Sequence, residues 1–351
     1  MLVTHHLPGR TIVADGCERL YFSGTSYLGM GHNEAFRALL QEGMARYGTV
    51  YSSSRASNVQ LAVYEEAEHL LAELTGAPAA LTFSSGYQAG QAATQRLHNK
   101  LNVIYAPGTH PAVWRSEADA AYGDFAKWSE SIVEKVSATP GECVIVANAL
   151  DPLFARAHDF GWVAQLPEDR TITLLVDDSH GLGVTGRDGG GVYSMLRSLA
   201  KPNVTVVVVS SLGKAFGVPG GVVLGPAQFV SDLKRNPFFA AGSSVPPAYL
   251  YAFARAQPLY QQARQRLFAN VAYFQQQVAP LALFRSIAQY PVFYTADNAL
   301  VEAVAPDCVL SSFPYPYPES NPITRVIVSS LHMPADLDRL GELLRKYVMN
   351  K

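Results

Sequence analysis

The chain has 351 residues, 48% of them hydrophobic and 16% charged, a balance that can bury a sizeable core and excludes a mainly disordered protein. Its 27 basic and 29 acidic residues leave a net charge of −2, so there is no bulk electrostatic case for binding nucleic acid or an anionic membrane. At this length, one large domain with a smaller one appended is the leading expectation.

In chain order, residues 33–48 carry Phe36, Leu39, Leu40 and Met44 at helical spacing before Gly48, which predicts an amphipathic helix. A second helix is expected over 59–76, with Leu61, Leu70, Leu71 and Leu74 on one side and Gly76 as its stop. ALTFSSGYQAGQAATQRL then reads as a short strand, a small polar turn and a helix. ECVIVANAL, TITLLVDD, NVTVVVVSS and GGVVLG are short continuous apolar runs rich in β-branched residues, the pattern of strands buried on both faces of a mostly parallel sheet. From Pro247 to about Pro280 the pattern is helical, with Pro258 kinking or dividing it. A strand at RVIVSSLH and a helix at ADLDRLGELLRKYVM finish the chain, after the one low-complexity stretch, FPYPYPESNP.

These elements predict an α/β fold, with a mostly parallel central sheet, helices on both faces and a smaller C-terminal α+β lobe. The expected divisions are an N-terminal segment 1–32, a large domain 33–245 and a small domain 246–351. Cys17, Cys143 and Cys308 are far apart and odd in number, which suits a reducing, cytoplasmic setting better than a disulfide framework. The start MLVTHHLPGRTIV lacks the basic and apolar regions of a signal peptide, and no run has the length of a membrane span.

The densest polar signal lies where the strands end: Asp177, Asp178, Ser179 and His180 after one, and Ser210, Ser211, Gly213 and Lys214 after the next. Carboxyl ends of parallel strands converge on one crevice, so a carboxylate, an imidazole, hydroxyls and an amine can meet there. GLGVTG, from Gly181 to Gly186, formally matches a dinucleotide pattern. It follows Asp-Asp-Ser-His and runs into RDGGG, which cannot open a helix, so an ordinary glycine-rich loop is expected.

YFSGTSYLG, YGTVYSSSR, FSSGYQAG, VDDSHGLGVTG, SSLGKAFGVPGG and SSVPPA occur in that order between residues 21 and 248. Together they resemble the pyridoxal-phosphate (PLP) α-oxoamine synthases, of the type I PLP-dependent transferase fold. ITRVIVSSLH followed by DLDRL extends the resemblance towards the end of the chain. The resemblance implies PLP as cofactor, Lys214 as the Schiff-base lysine, and Asp177 as the carboxylate that keeps the pyridine nitrogen protonated. Asp178 would point to the other side of its strand. It also implies that His110 stacks on the ring and His180 contacts its phenolic oxygen. Ser85, Gly86, Tyr87 and Ser211 would bind the phosphate. Ser243 and Ser244 would reach the phosphate of a second subunit, so a homodimer is expected.

The departures from the family fall on the substrate side. Thr25-Ser26 replaces Asn-Asp, Val50-Tyr51-Ser52-Ser53 replaces Gly-Ser-Gly-Gly, Tyr64 replaces a frequent histidine, and Asn148 to Pro152 replaces Glu-Gly-Val-Phe-Ser. The family arginine that binds the amino-acid carboxylate stands twelve residues before Arg325, where this chain has Phe313. Arg325 is a candidate substitute, with a structural ion pair as the alternative, and Asn148 is a second candidate substrate residue. The chain also begins later than is usual in the family, so an arm that covers the active site is expected to be missing. The leading reading is condensation of an amino acid or amine with an acyl thioester, carried by CoA or a carrier protein, through a PLP-stabilised carbanion. Transamination or a lyase step on the same site, or a non-catalytic PLP-binding descendant, are the alternatives. No metal is expected.

Overall fold

The computed structural model describes residues 2–97, 102–315 and 317–351. The chain divides into two units, one of residues 34–150 and 157–258 and a smaller one of residues 1–33, 151–156 and 259–351.

The larger unit is built on a six-stranded sheet, in the order Ala79–Phe83, Gly221–Gly225, Val204–Ser211, Ile172–Asp177, Cys143–Asn148 and Asn102–Tyr105. The last four strands are mutually parallel, and Gly221–Gly225 runs antiparallel to both its neighbours. The long β-branched run of Val204–Ser211 is almost wholly buried, as expected for a strand covered on both faces. Leu81, Phe83, Ala89, Val144, Leu175 and Val207 belong to one apolar cluster of this core. The α/β architecture and mostly parallel sheet expected from the sequence are those of this unit.

Local chemistry explains some of the helix ends. Gly76 closes helix Ala62–Thr75 in a left-handed conformation, φ 74°, which costs glycine little. Helices Pro247–Arg255 and Gln257–Val278 are separate, and Pro258 lies in the first turn of the second, where a missing N–H removes no helical bond. On helix Glu34–Tyr47 the packed face is Phe36 and Gly43, while Met44, expected on the apolar side, is exposed. A Cβ on Gly43 would lie 2.6 Å from the carbonyl oxygen of Ala248. This close helix contact turns Phe36 and Gly43 inward and Met44 to the surface.

The smaller unit has its own six-stranded sheet, ordered Thr11–Ala14, Cys17–Phe22, Cys308–Pro314, Pro322–Ile327, Val292–Thr295 and Arg285–Ser286. Strand Cys17–Phe22 pairs in parallel with Cys308–Pro314, so residues 1–32 do not form a segment apart. Helix Pro247–Arg255 belongs to the larger unit, and the division falls after Pro258 rather than near 245. Helix Pro334–Met349 buries Leu337, Leu340 and Leu344, and Phe274 and Phe293 meet edge to face at 4.9 Å. Within the FPYPYPESNP stretch, Phe313 and Pro314 end strand Cys308–Pro314, and Pro322 begins strand Pro322–Ile327. Among the described residues, no helix is long and apolar enough to cross a membrane, and no cluster of side chains could hold a metal ion.

Candidate active site

Strand order places the polar residues of the larger unit side by side. Asn148 is in register with Asp177, and Asp177 with Val209, two residues before Ser211. The helix Gly86–Arg96 starts directly after strand Ala79–Phe83 and is capped by Ser85, whose Oγ accepts from Gln88 N at 3.0 Å. The amides of Gly86 and Tyr87 open that helix and have no acceptor within it. A Cβ on Gly86 would lie 2.7 Å from Ser211 Cβ and 2.8 Å from Ser211 Cα. Only glycine lets the helix start press against the end of strand Val204–Ser211.

A chain of hydrogen bonds joins these groups. Ser179 N donates to Asp177 Oδ1 at 2.8 Å, Ser211 N donates to Ser179 Oγ at 2.9 Å, and Gly213 N donates to Ser211 Oγ at 3.2 Å. The sequence motif displayed Ser179 only as one hydroxyl among several, and its bridging position between strand ends became visible in the fold. Lys214 sits in the loop that returns from strand Val204–Ser211, closed by Leu212 N to Gly220 O at 2.8 Å and Val218 N to Leu212 O at 3.1 Å. Lys214 makes no hydrogen bond or ion pair among the described residues. Burial holds its amine below the ordinary lysine range, with the nearby charge of Asp177 opposing.

Asp177 is buried, and its Oδ2 has His110 Nδ1 at 4.0 Å. That ring nitrogen already accepts from Ala112 N at 3.1 Å, so it is an acceptor and cannot serve the carboxylate as a donor. Partial burial holds His110 below the usual histidine range, Asp177 opposing and the charge of Lys214 adding to the effect. His110 is therefore a neutral ring at neutral pH, and the second oxygen of Asp177 is left facing a position where an N–H⁺ group would be stabilised. A protonated pyridine nitrogen supplies that donor, the free amine of Lys214 suits an aldehyde, and the Gly86–Ser211 junction presents amides and hydroxyls to a phosphate. The residues present thus fit PLP.

The remaining expected residues are distributed as follows. His180 is half-buried in the turn after Asp177 and Ser179, while Tyr87 and Ser243 are exposed. Ser244 Oγ lies 2.6 Å from Tyr64 Oη, which also donates to Val245 O at 2.9 Å. Tyr64, standing in place of a histidine, thereby ties the Ser243–Ser244 segment to helix Ala62–Thr75. Asp178 is buried, accepts from Val192 N at 2.8 Å through Oδ2, and leaves Oδ1 without a hydrogen bond. Burial, reinforced by Asp177, pushes its carboxyl up to about 8. The Gly181–Gly186 loop turns without opening a helix, Gly183 and Gly186 taking φ of 87° and 72°.

Asn148 differs from a free substrate contact, because both ends of its side chain are engaged with the turn that carries His110. In the smaller unit, Arg325 is 6% exposed. It donates to Ser311 Oγ at 3.0 Å and to Pro152 O at 3.3 Å, and its Nε is buried without a partner. Its guanidinium lies 5.4 Å from the centre of the half-exposed Phe313 ring. Burial lowers its ordinarily very high pKa. Among the described residues it has no carboxylate within 4 Å, so the ion-pair alternative has no partner there.

The family model for aminotransferase class I and II matches residues 22–305. The 8-amino-7-oxononanoate synthase of Erwinia tasmaniensis is 30% identical over 97% of this chain and 92% of that protein. The same-named protein of Pseudomonas aeruginosa strain LESB58 is 28% identical over 96% and 87%. The solved structure of Sphingomonas wittichii serine palmitoyltransferase superposes with a TM-score of 0.83 at 18% identity, over 98% of this chain and 91% of that one, a likeness of fold. With the motifs, the site and these matches together, the chain belongs to the aminotransferase class I and II family, and within it to the PLP-dependent α-oxoamine synthases.

Proposed function

We propose that this enzyme condenses an amino acid or amine with an acyl thioester, using Lys214 and Asp177 as its central residues. The observation that carries the reading is the half-satisfied carboxylate of Asp177 beside the unpartnered amine of Lys214. Bound there, PLP supplies an electron sink for cleaving a bond at the carbon next to the substrate nitrogen. Lys214 holds the cofactor covalently through Nζ. Its lowered basicity would leave part of the free amine neutral, which suits it to take up and return a proton. Asp177 Oδ2 holds a proton at the ring nitrogen, and Ser179 N fixes the other oxygen so that the carboxylate cannot rotate away. His110 presents a neutral ring, and His180 supplies a polar contact on the same turn as Asp177. The amides of Gly86 and Tyr87 bind the phosphate together with the hydroxyls of Ser85 and Ser211.

On the substrate side, Arg325 is the group we assign to an anionic substrate atom. A buried guanidinium with an unsatisfied Nε and no carboxylate partner is stabilised by an incoming anion. Phe313 replaces the bidentate arginine of the family with an apolar ring, which disfavours small free amino acids and favours an amine with an apolar tail.

The working form is a homodimer in the cytoplasm. The SSVPPA motif and the exposed Val50, Val59 and Tyr87 of the larger unit support the dimer. Three free cysteines support a reducing compartment. Borohydride reduction of the PLP-loaded protein followed by peptide mass spectrometry should place the adduct on Lys214. Free-thiol release from a panel of acyl-CoA compounds should then depend on a second, amine substrate. Conversion to pyridoxamine phosphate without thiol release would replace acyl transfer by transamination.

A further inference from the structure

We infer that Asn148 is a positioning residue that holds the His110 turn against Asp177, a role that rests on the cofactor site proposed above. Its Oδ1 accepts from His110 N at 3.2 Å, and its Nδ2 donates to Gly108 O at 2.7 Å. One side chain thus bridges both sides of Thr109 and pins the two peptide groups between which the chain turns. Gly108 has φ 74°, so the turn has the left-handed geometry that glycine tolerates.

Asn148 is itself held at the end of its strand. It is in register with Asp177, Ala149 N donates to Asp177 O at 2.8 Å, and the Asn148 carbonyl accepts from His158 Nδ1 at 2.9 Å. The His158 ring is stacked on Phe125 at 3.7 Å. The clamp therefore connects the strand neighbouring Asp177 to the residue whose ring stands 4.0 Å from the Asp177 carboxylate. His110 Nδ1 is occupied by Ala112 N, so with its backbone N–H also taken, the ring has little freedom to leave its place.

The chemistry selects an amide. The two partners are one donor and one acceptor, and a neutral amide matches both through its oxygen and its nitrogen. A carboxylate of the same shape would keep the bond from His110 N but set an oxygen against the Gly108 carbonyl, a repulsive contact unless that oxygen carries a proton. The Asp side chain is isosteric with Asn, so Asn148→Asp changes the charge and the donor while leaving the packing.

The titratable groups facing this clamp are Asp177 on the neighbouring strand, His110 on the turn and His158 on the carbonyl side, with Lys214 acting on His110 through its charge. These groups are present in every variant, so each variant is compared with wild type at the same pH.

The test uses the full chain as wild type, Asn148→Asp and Asn148→Ala, with circular dichroism to confirm the fold. PLP dissociation constants are measured by tryptophan-emission quenching from the carboxylate range up to alkaline pH. Asn148→Asp should bind PLP about tenfold more weakly than wild type at neutral and alkaline pH, the loss expected when a donor is replaced by an oxygen facing the Gly108 carbonyl, and should approach wild type only as the pH falls into the carboxylate range and the new carboxyl regains a donor. Asn148→Ala should be weakened by a similar factor throughout. In parallel, the ring resonances of His110 in the cofactor-free protein, assigned with a His110→Gln variant, should shift in both Asn148 variants. A ratio of the aspartate form to wild type that does not change with pH, or unchanged His110 resonances, would overturn the clamp. Failure of wild type to bind PLP at all would overturn the cofactor site instead, and the His110 resonances would still judge the clamp.

Discussion

Gly86→Ala tests the phosphate cradle through a single methyl group. Its Cβ would lie 2.7 and 2.8 Å from two Ser211 carbons, against about 3.5 Å or more for carbon atoms in ordinary contact. One of those carbons is backbone, so no rotamer change relieves the overlap, and the helix start must retreat from the strand end by about 0.7 Å. Overpacking of this kind costs about 1 to 3 kcal/mol in fold stability. The same retreat lengthens any bond from the Gly86 and Tyr87 amides to phosphate beyond the usual 2.7–3.2 Å window. Losing one or two such charged bonds weakens PLP binding by about ten- to several-hundred-fold. The assay is fluorescence titration with PLP, supported by thermal unfolding, with Gly225→Ala as control because its added Cβ meets nothing closer than 3.5 Å. If Gly86→Ala binds PLP within twofold of wild type and melts at the same temperature, the phosphate does not sit at this junction.

Lys214→Ala should remove the visible absorbance of covalently held cofactor and the borohydride-stable adduct, while far-ultraviolet dichroism stays unchanged. Asp177→Asn should still load PLP but lower turnover by about a hundredfold or more, since a developing charge loses its electrostatic partner, as read by thiol release. Phe313→Arg should tighten binding of small amino acids by about tenfold when followed by spectral titration. The gain requires an incoming carboxylate, because the new guanidinium stands beside Arg325. Asp178 supplies a pH prediction. Its carboxyl is raised from 3.8 to about 8 in the folded chain, so the folded state binds more protons than the unfolded state between those values. Its contribution to stability is greatest below pH 4, falls as the pH rises towards 8, and changes no further above that. Asp178→Asn should flatten this part of the profile in urea unfolding. His332 acts oppositely: burial lowers its pKa to about 4, so its contribution is lost as pH falls from 6.5 towards 4.

Much of the larger unit was legible because its strands are continuous β-branched runs and its helices carry apolar residues at helical spacing. Val204–Ser211 and Ile172–Asp177 have few other options in a folded chain. The strands Cys17–Phe22, Val292–Thr295 and Cys308–Pro314 were not, since each mixes polar and apolar residues and acquires its identity only by pairing with chain hundreds of residues away or across the Pro322–Ile327 strand. The boundary after Pro258 was hidden for a related reason. Nothing local marks helix Pro247–Arg255 as packing on Glu34–Tyr47, a contact that depends on Gly43 meeting Ala248.

At the site, the collinear motifs and the family resemblance they carry nominated Lys214, Asp177, His110 and the Ser85–Tyr87 turn, residue types whose chemistry suits the roles that the resemblance implies. What a sequence does not contain is which donor each acceptor meets. Asn148 is the clearest instance: as a residue type it suits a substrate contact, but its amide is already shared between Gly108 O and His110 N. Arg325 shows the converse, a cation that could have had an ion-pair partner and, once buried, meets a hydroxyl, a carbonyl and an aromatic face among the described residues. Hydrogen-bond partnership is settled by strand register and loop closure, which bring together atoms distant in the chain. The sequence by itself therefore pointed to the family, the cofactor and the candidate reactive groups, whereas tertiary structure decided which of those groups are left unsatisfied.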